Sequence, residues 1–419
     1  WAGPSRLLMT EDSAASVLAA WLERIEAMHP TEIELGLERI RQVARRLGVD
    51  SMPVPVITVA GTNGKGSTLR LMQVLAERHG RRVCLYTSPH LHRFNERVCL
   101  PDGLASDQQL CEAFEQVEQA RQDISLTYFE FSTLAALWLF RRSEADLVLL
   151  EVGLGGRLDA VNIVDPNVAV VTSVGLDHQD WLGDTREAIA GEKCGIARSG
   201  RPLVFGEADW PNNLSALAER YGVEPVFAGR EFRLNKQGVT LCDGRELGFP
   251  GRVTLGRDNL ATACQALVLA GVPVTTQDCM AVADVPLFGR CEFRQLQGRP
   301  CWFDVGHNLA AVTRFLQLLP PCEGRRHLVF GMMADKPIED VVALFADQPV
   351  SWHLAAPAMA RAASPSRLAA ALPAQAPSSQ YESISEALRG ALGAAQSSDQ
   401  VLIFGSFYTV AEARGEQGG

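Results

Sequence analysis

The segment from Pro53 to Thr68 constrains the fold of this chain more than any other. A buried apolar strand, Val-Ile-Thr-Val-Ala, runs into the glycine turn Gly61-Thr62-Asn63-Gly64-Lys65-Gly66-Ser67, and a helical pattern follows at once. Such a strand–turn–helix unit aims several backbone N–H groups and the positive end of a helix dipole at one point, which suits a phosphate group. The segment therefore predicts a nucleotide site in an α/β fold.

This turn departs from the strict phosphate-loop pattern. That pattern places a glycine five residues before Gly64 and a Ser or Thr directly after the lysine. Here the two positions hold Val59 and Gly66, and the hydroxyl residue Ser67 comes one place late. An ordinary glycine-rich turn between a strand and a helix is the alternative. Because strand, lysine and helix occur together, an ATP or GTP site is the better interpretation.

Composition excludes several classes of function. At 419 residues, with 47% hydrophobic and 21% charged residues, the chain is long enough for two or three globular domains. A net charge of -10 and the absence of a basic run interleaved with aromatics argue against nucleic-acid binding. No apolar run reaches the ~18 residues of a membrane span, and no signal peptide is evident. Ten cysteines without a C-x-x-C pair fit reduced thiols, so we expect a cytoplasmic protein without a membrane partner.

Alternating apolar runs and helical stretches predict two α/β domains. The first series has strands at 54–60, 82–87, 146–152, 168–174 and 202–206, and the second at 301–305, 327–331, 351–356 and 400–405. Runs that are apolar on both faces indicate parallel sheets covered on both sides. Two helices are expected over 12–48, the second starting at a Thr31–Glu34 capping box, and a small β subdomain over 223–256. Residues 293–299 read as a connector, which gives domains at 1–295 and 296–419.

Polar residues that follow the predicted strands mark a candidate site. Ligands bind beyond the carboxyl ends of parallel strands, and these ends deliver Ser88, Glu151 and His178 in the first domain. Mg²⁺ beside a triphosphate prefers carboxylate, phosphate and water oxygens, and Glu151 closes an apolar strand as a Walker-B acid does. A structural ion pair between Glu151 and Arg157 is the alternative. Ser88 and His178 would be read as ordinary loop residues if they did not follow the carboxyl ends of predicted strands.

Three other places are weaker candidates when they are taken singly. The aromatic segment 126–131, which includes Thr127 and Phe129 and leads into a helix from residue 132, fits either core packing or a flat heteroaromatic ligand. Lys193 would ordinarily lie on the surface. In the second domain Asp304 and His307 leave a strand at its carboxyl end, where such residues are often structural.

The motifs in their order resemble those of the folylpolyglutamate synthase family, and most closely its bacterial bifunctional form that is also a dihydrofolate synthase. This family belongs to the Mur-ligase group of ATP-dependent amide ligases. The resemblance covers nearly the whole chain and rests on these segments: 35–40, the 61–68 loop, 87–97, 151–159, 176–178, 192–193, 289–290, 304–308, 335–336 and 404–407. It implies a phosphate-loop ATPase domain with the pterin or folate site, followed by a smaller Rossmann-like ligase domain.

The resemblance also implies roles for individual residues. Gly61, Thr62, Asn63, Gly64, Lys65, Gly66 and Ser67 would bind the ATP phosphates, joined by Asn259 and Arg290. Ser88, Glu151 and His178 would ligate magnesium, and Asp304 and His307 would meet the adenosine. Lys193 matches a lysine that becomes carbamylated, and Lys65, Glu151, His178 and Lys193 form the implied catalytic set. Thr127, Phe129 and Asp159 match the region that holds the pterin and benzoate of dihydropteroate.

The implied reaction joins L-glutamate to a pteroate or folate carboxylate through an acyl phosphate, in a monomer that needs ATP and Mg²⁺. The sequence departs from the family pattern at Val161, where a threonine is usual, and at Tyr408, where a histidine is common. A Mur-type ligase acting on a UDP-sugar peptide is one alternative, although no separate UDP-holding domain is recognisable before the phosphate loop. A phosphate-loop nucleotide switch is the other, although a switch needs neither the second domain nor the aromatic segment.

Overall fold

The computed structural model describes residues 11–31 and 33–415, which form two compact units that divide between Ala283 and Asp284. The boundary predicted from the sequence, at 295/296, lies twelve residues further along the chain. The predicted connector is a β-hairpin of the second unit, in which the strand Glu292–Leu296 pairs antiparallel with the strand Arg299–Asp304. The two residues between them, Gln297 and Gly298, both have positive φ angles (48° and 74°), as a tight hairpin turn requires.

Within the described residues the first unit has ten α-helices, eleven strands and two short 3-10 helices, Phe94–Arg97 and Ala160–Ile163. Its helices are α1 Glu11–Glu26, α2 Glu38–Leu47, α3 Lys65–Arg78, α4 Asp107–Arg121, α5 Tyr128–Arg142, α6 Gln179–Leu182, α7 Arg186–Cys194, α8 Leu214–Tyr221, α9 Arg257–Leu269 and α10 Thr276–Ala281. Its strands are β1 Val56–Ala60, β2 Val83–Tyr86, β3 Val98–Leu100, β4 Gly103–Leu104, β5 Leu147–Glu151, β6 Val168–Val171, β7 Pro202–Phe205, β8 Glu224–Phe227, β9 Arg233–Leu234, β10 Gly238–Thr240 and β11 Glu246–Gly248.

Eight of these strands form one sheet in the order β4-β3-β2-β5-β1-β6-β7-β8. The six strands from β2 to β8 are parallel, while β3 and β4 pair antiparallel at one edge. Every residue of β1, β2, β5 and β6 is buried, as expected for strands covered on both faces. The five predicted strands of this unit are therefore confirmed.

The small β subdomain predicted over 223–256 is confirmed in part. Strands β9, β10 and β11 form a separate antiparallel sheet in the order β11-β10-β9. In contrast, β8 extends the main sheet, where it pairs parallel with β7.

Two predicted helix starts are wrong. Helix α2 begins at Glu38 rather than at a Thr31–Glu34 capping box, and the Glu34 carboxylate forms an ion pair with Arg39 instead. Helix α5 begins at Tyr128 rather than at residue 132, because Thr127 caps it. Thr127 and Glu130 form a capping box, which was missed because aromatic residues occupy the positions between and around them.

Helix α5 packs on strands β2 and β3, and helix α4 packs on α5 with aromatic side chains between them. Phe114 lies edge-on to Phe131 and to Phe94, with ring centroids 5.7 and 5.5 Å apart, and Trp21 of α1 packs against Phe114. Among the described residues, no helix is long and apolar enough to cross a membrane.

The second unit is a six-stranded sheet in the order β12-β13-β17-β14-β15-β16 with helices around it. Its strands are β12 Glu292–Leu296, β13 Arg299–Asp304, β14 Arg326–Phe330, β15 Val350–Leu354, β16 Ser378–Gln380 and β17 Gln400–Phe404. Its helices are α11 Leu309–Leu318, α12 Ile338–Ala343, α13 Pro365–Ala370, α14 Ile384–Ala394 and α15 Phe407–Gly415. All strands but β12 are parallel, so the predicted second α/β series is confirmed.

Candidate active site

Four loops of the first unit meet at one edge of its main sheet. Strands β2, β5, β1 and β6 are adjacent and parallel. In register, Glu151 at the end of β5 lies beside Val59 of β1, and Val171 at the end of β6 lies beside Ala60. Carboxyl ends of parallel strands share one edge, so the loops that carry the predicted phosphate and metal residues are neighbours.

The phosphate loop is tied to the loop that follows β6. The Thr62 hydroxyl donates to the Gly175 carbonyl at 3.1 Å, and the Asn63 amide donates to Ser173 Oγ at 3.0 Å. Thr172 Oγ1 donates in turn to the Asn63 carbonyl at 2.6 Å. Sequence reasoning missed Thr172 and Ser173, although a hydroxyl pair directly after a buried strand was the available signal.

Two of the three glycines of the loop, Gly61 and Gly64, are required by close packing. A Cβ atom on Gly61 would lie 1.9 Å from Thr172 Oγ1, and one on Gly64 would lie 2.7 Å from Asn259 Oδ1. Gly64 also has a φ of 85°, which favours glycine. Asn259 is held in place by its own hydrogen bond, because its Nδ2 donates to the Leu255 carbonyl at 2.7 Å. The structure thus places Asn259 against the phosphate loop.

Lys65 brings a positive charge to this loop. It is the first residue of α3, and its Nζ donates to the Gly61 carbonyl at 3.0 Å, so the side chain folds back over the turn. Gly66 and Ser67 lie in the first turn of the helix, whose N–H groups lack intrahelical acceptors. An ammonium group and helix amides at one place make a site for an anion.

Glu151 is buried beside Ser88 at the same edge. Its side chain is 5% exposed, and Oε2 accepts a hydrogen bond from the Ser88 amide at 3.0 Å. Arg157 forms its ion pair with Glu192 at 2.9 Å. The arrangement therefore favours the Walker-B interpretation of Glu151 over a structural pair with Arg157.

His178, the third predicted metal residue, lies on the loop after β6. Its backbone is left-handed (φ 51°) at the start of α6, its side chain is 46% exposed, and its Nε2 lies 3.9 Å from Asp177 Oδ2. Within the described part of the chain, no three His, Cys, Asp or Glu side chains form a group that could hold a metal. The donor set, one carboxylate beside a serine, fits a Mg²⁺ ion that draws its other ligands from phosphates and waters.

Lys193 and Asp159 are both buried and have shifted pKa values. Burial, aided by the nearby Lys65 charge, lowers the pKa of Lys193 to about 7. Burial raises the pKa of Asp159 to about 7, although amide donors such as Leu154 N–H, 2.8 Å from Oδ2, oppose the shift. Lys193 is thus a buried lysine with a pKa near 7, whereas most lysine side chains lie on the surface.

The Phe129 ring packs against Tyr86 and Gly153, whereas the Thr127 side chain caps helix α5. Thr127 Oγ1 accepts the Glu130 amide at 3.2 Å, and the residue is 4% exposed. The Phe129 ring lies 5.9 Å from the Tyr86 ring, centroid to centroid, and a Cβ on Gly153 would approach it to 2.7 Å. Gly153 therefore provides the space for this ring.

In the second unit, Asp304 fastens the loop after β13. Its carboxylate accepts the Cys291 amide at 2.8 Å and the Gly306 amide at 2.7 Å. Burial raises the pKa of Asp304, and the charge of Arg290 opposes this shift. Arg290 and His307 both lie near Phe407. The Arg290 guanidinium is 5.5 Å from the centroid of the Phe407 ring, and the centroids of the His307 and Phe407 rings are 6.5 Å apart.

Comparison with known proteins assigns the class. Residues 59–221 match the family model described as the Mur ligase middle domain, and residues 289–407 match the Mur ligase, glutamate ligase domain. These spans contain the phosphate loop and Glu151 in the first unit and Asp304 in the second. The fold and the site thus define an ATP-dependent ligase of the Mur type.

The chain is 41% identical over 411 residues to the dihydrofolate synthase/folylpolyglutamate synthase of Escherichia coli, covering 95% of each chain. The Haemophilus influenzae protein of the same name is 38% identical, covering 95% of this chain and 97% of its own. The solved structure of E. coli FolC with DHPP and ADP superposes with a TM-score of 0.89 at 40% identity, covering 96% of this chain and 98% of its own. The chain therefore belongs to the dihydrofolate synthase/folylpolyglutamate synthase family.

Proposed function

We propose that this protein joins L-glutamate to the carboxylate of dihydropteroate, forming dihydrofolate, and to the glutamate tail of folates, using ATP. The observation that carries this proposal is that the phosphate loop, Glu151 and Ser88 meet at one sheet edge in a chain of this family, with Lys193 near Lys65 and Phe129 against Gly153. A related structure has Mn, AMPPNP and L-glutamate bound (TM-score 0.87, 39% identity, 96% of this chain and 98% of its own). Neither the UDP-sugar ligase nor the nucleotide switch gains comparable support.

The reaction needs activation of a carboxylate. A carboxylate oxygen attacks the γ-phosphorus of ATP, which forms an acyl phosphate and releases ADP. The amino group of glutamate then attacks the acyl carbon, and phosphate leaves from the tetrahedral intermediate as the amide forms. Lys65 and the α3 amides offset negative charge on the transferring phosphoryl group, so the protein acts by positioning and electrostatics.

We propose that Glu151, Ser88 and His178 hold Mg²⁺ in this reaction. When bound, the ion would neutralise charge on the phosphate oxygens. Glu151 is well placed for this role because its carboxylate is buried and is oriented by the Ser88 amide. For the second unit, the proposal is that Arg290, Asp304 and His307 contribute to ATP binding.

We also propose that Lys193 is carbamylated. A neutral amine attacks CO₂, the N–C bond forms, and the nitrogen releases one proton. A pKa lowered to about 7 makes the neutral amine available near pH 7. The product is a carboxylate-like group beside Lys65, which would add an oxygen donor to the metal site. Intact-protein and peptide mass spectrometry in bicarbonate buffer would detect the added CO₂.

The test of the proposed function is product formation by the purified protein. With ATP, Mg²⁺ and L-glutamate, it should release ADP and form dihydrofolate from dihydropteroate, and lengthen the glutamate tail of tetrahydrofolate. ADP should form only when a pterin substrate and glutamate are both present. Nucleotide hydrolysis that is indifferent to both would contradict the proposal. Glu151→Gln is expected to lower kcat by at least about 100-fold without unfolding the protein, since it removes the charged group proposed to hold Mg²⁺.

We propose in addition that the protein is a cytoplasmic monomer. The ten cysteines all fall within the described residues, and none of them forms a disulfide, which suits a reducing compartment. Sedimentation at assay concentration would test the oligomeric state, and fractionation of cells would test the location.

A further inference from the structure

Arg97 is a buried cation that the mechanism above does not use. It closes the short helix Phe94–Arg97 between β2 and β3 and is 9% exposed. Its guanidinium lies 5.7 Å from the Phe94 ring and 5.4 Å from the Tyr128 ring. Cation–π contact of this kind offsets only part of the free energy that burial of a charge costs.

No described carboxylate forms an ion pair with this guanidinium. Its Nε donates to His90 Nδ1 at 2.8 Å, and its two terminal amino groups donate to no residue of 11–31 or 33–415. The neighbouring Glu96 carboxylate is occupied by backbone amides of the same loop, including Leu91 at 2.7 Å and Arg93 at 2.8 Å. A mostly desolvated arginine that no acid neutralises indicates a binding place for an anion.

His90 orients the Arg97 guanidinium without neutralising it. Because arginine can only donate, His90 Nδ1 must be the acceptor, so the ring hydrogen resides on Nε2. Tyr128, the first residue of α5, lies against the guanidinium through its ring. The groups that hold Arg97 thus supply no negative charge, and its terminal amino groups can meet an anion.

This position lies between two parts of the proposed active site. His90 is two residues from Ser88, whose amide holds Glu151, and Tyr128 adjoins Phe129. A substrate with its pterin near Phe129 and its reacting carboxylate near Glu151 would therefore pass Arg97. Dihydropteroate has one carboxylate, the one that reacts. A folate ends in glutamate and has a second, the α-carboxylate, which needs a partner.

We propose that Arg97 binds the α-carboxylate of the terminal glutamate of folate substrates. This inference rests on the proposed function, because it concerns the same site. It makes Arg97 a specificity residue that serves polyglutamylation and is dispensable for dihydrofolate synthesis.

The test compares the two reactions in one protein. Arg97→Gln should raise the KM for tetrahydrofolate by about 10- to 100-fold, since a hydrogen bond to a charged group is lost. The KM for dihydropteroate should change by less than about 3-fold, as no α-carboxylate is present. Arg93→Gln is the matched control, because Arg93 belongs to the same segment but is exposed and pairs with Asp107, and it should alter neither KM.

A substrate analogue that lacks the α-carboxylate completes the test. Tetrahydropteroyl-γ-aminobutyrate keeps the reacting carboxylate and lacks the α-carboxylate, so wild type and Arg97→Gln should use it with equal KM. If the Gln variant does not fold, Arg97→Lys serves, because lysine cannot supply the paired donors and should also raise only the tetrahydrofolate KM. Equal effects on both substrates, or on neither, would overturn the proposal. Failure of the wild type to form either product would instead refute the proposed function.

Discussion

At the scale of single residues, Lys193 gives a pH-dependent prediction. Its pKa falls from 10.5 to about 7 on folding because the side chain is buried. Between pH 7 and 9 the unfolded chain binds a proton there that the folded chain does not, so stability rises with pH. In CO₂-free buffer, the free energy of unfolding of the wild type should rise relative to Lys193→Met by about 1.4 kcal/mol per pH unit. Urea unfolding at several pH values measures this difference.

Lys236→Met is the control for this measurement, since Lys236 is exposed. Its stability curve should run parallel to that of the wild type over the same range. A parallel curve for Lys193→Met as well would mean that Lys193 keeps its proton in the folded state.

At the scale of elements, the loop after β5 packs closely on the end of α7. A Cβ on Gly156 would lie 2.8 Å from the Glu192 carbonyl and 2.9 Å from the Lys193 carbonyl, and backbone atoms cannot move aside easily. Gly156→Ala should therefore destabilise the protein by about 1–3 kcal/mol and lower ligase activity by displacing the end of α7. Thermal unfolding and kcat measure the two effects.

Gly191→Ala, within α7 itself, is the matched control. A Cβ there meets nothing within 4 Å, so alanine should preserve activity and leave stability unchanged or raised by about 0.5–1 kcal/mol. Similar losses for both variants would show that α7 tolerates no added methyl group, and that the Gly156 contact is not specific.

At the scale of the whole molecule, the two units have separate cores, so they can lose stability at different pH values. In the second unit, His327 Nδ1 lies 3.2 Å from His353 Nε2, and His327 Nε2 lies 3.3 Å from Asp399 Oδ2. Burial, aided by His327, lowers the pKa of His353 from 6.5 to about 4, and burial also lowers the pKa of His327. The unfolded chain therefore binds more protons as pH falls from 6.5 towards 4, and the second unit should lose stability there.

Calorimetry between pH 7 and 5 checks this expectation. As pH falls, the thermal unfolding transition of the second unit should move to lower temperature in the wild type. The shift should be smaller in His353→Gln, because glutamine cannot be protonated. His92→Gln, at an exposed histidine of the first unit, should leave that shift as it is. An unchanged shift in His353→Gln would contradict the assigned role of the histidine pair.

Much of the fold followed from local pattern. Runs of residues that are apolar on both faces predicted the strands of both parallel sheets, and the glycine turn with Lys65 predicted the start of α3. The hairpin at 292–304 was missed because Gln297-Gly298 does not have the usual turn composition, and the start of α5 because its cap is followed by aromatics. At the site, strand ends singled out Ser88, Glu151 and His178, while assigning a metal to them took the family resemblance.

The sequence alone determined that a phosphate loop, an acid at a strand end and two α/β series exist, since each is written in neighbouring residues. Only the tertiary structure decided that β5 lies between β1 and β2, that Thr172 and Ser173 fix the loop, and that Arg97 is buried with no ion pair to an acid of the described residues. Strand order and burial depend on contacts between residues far apart in the chain. Periodicity, which is a local property, does not encode them.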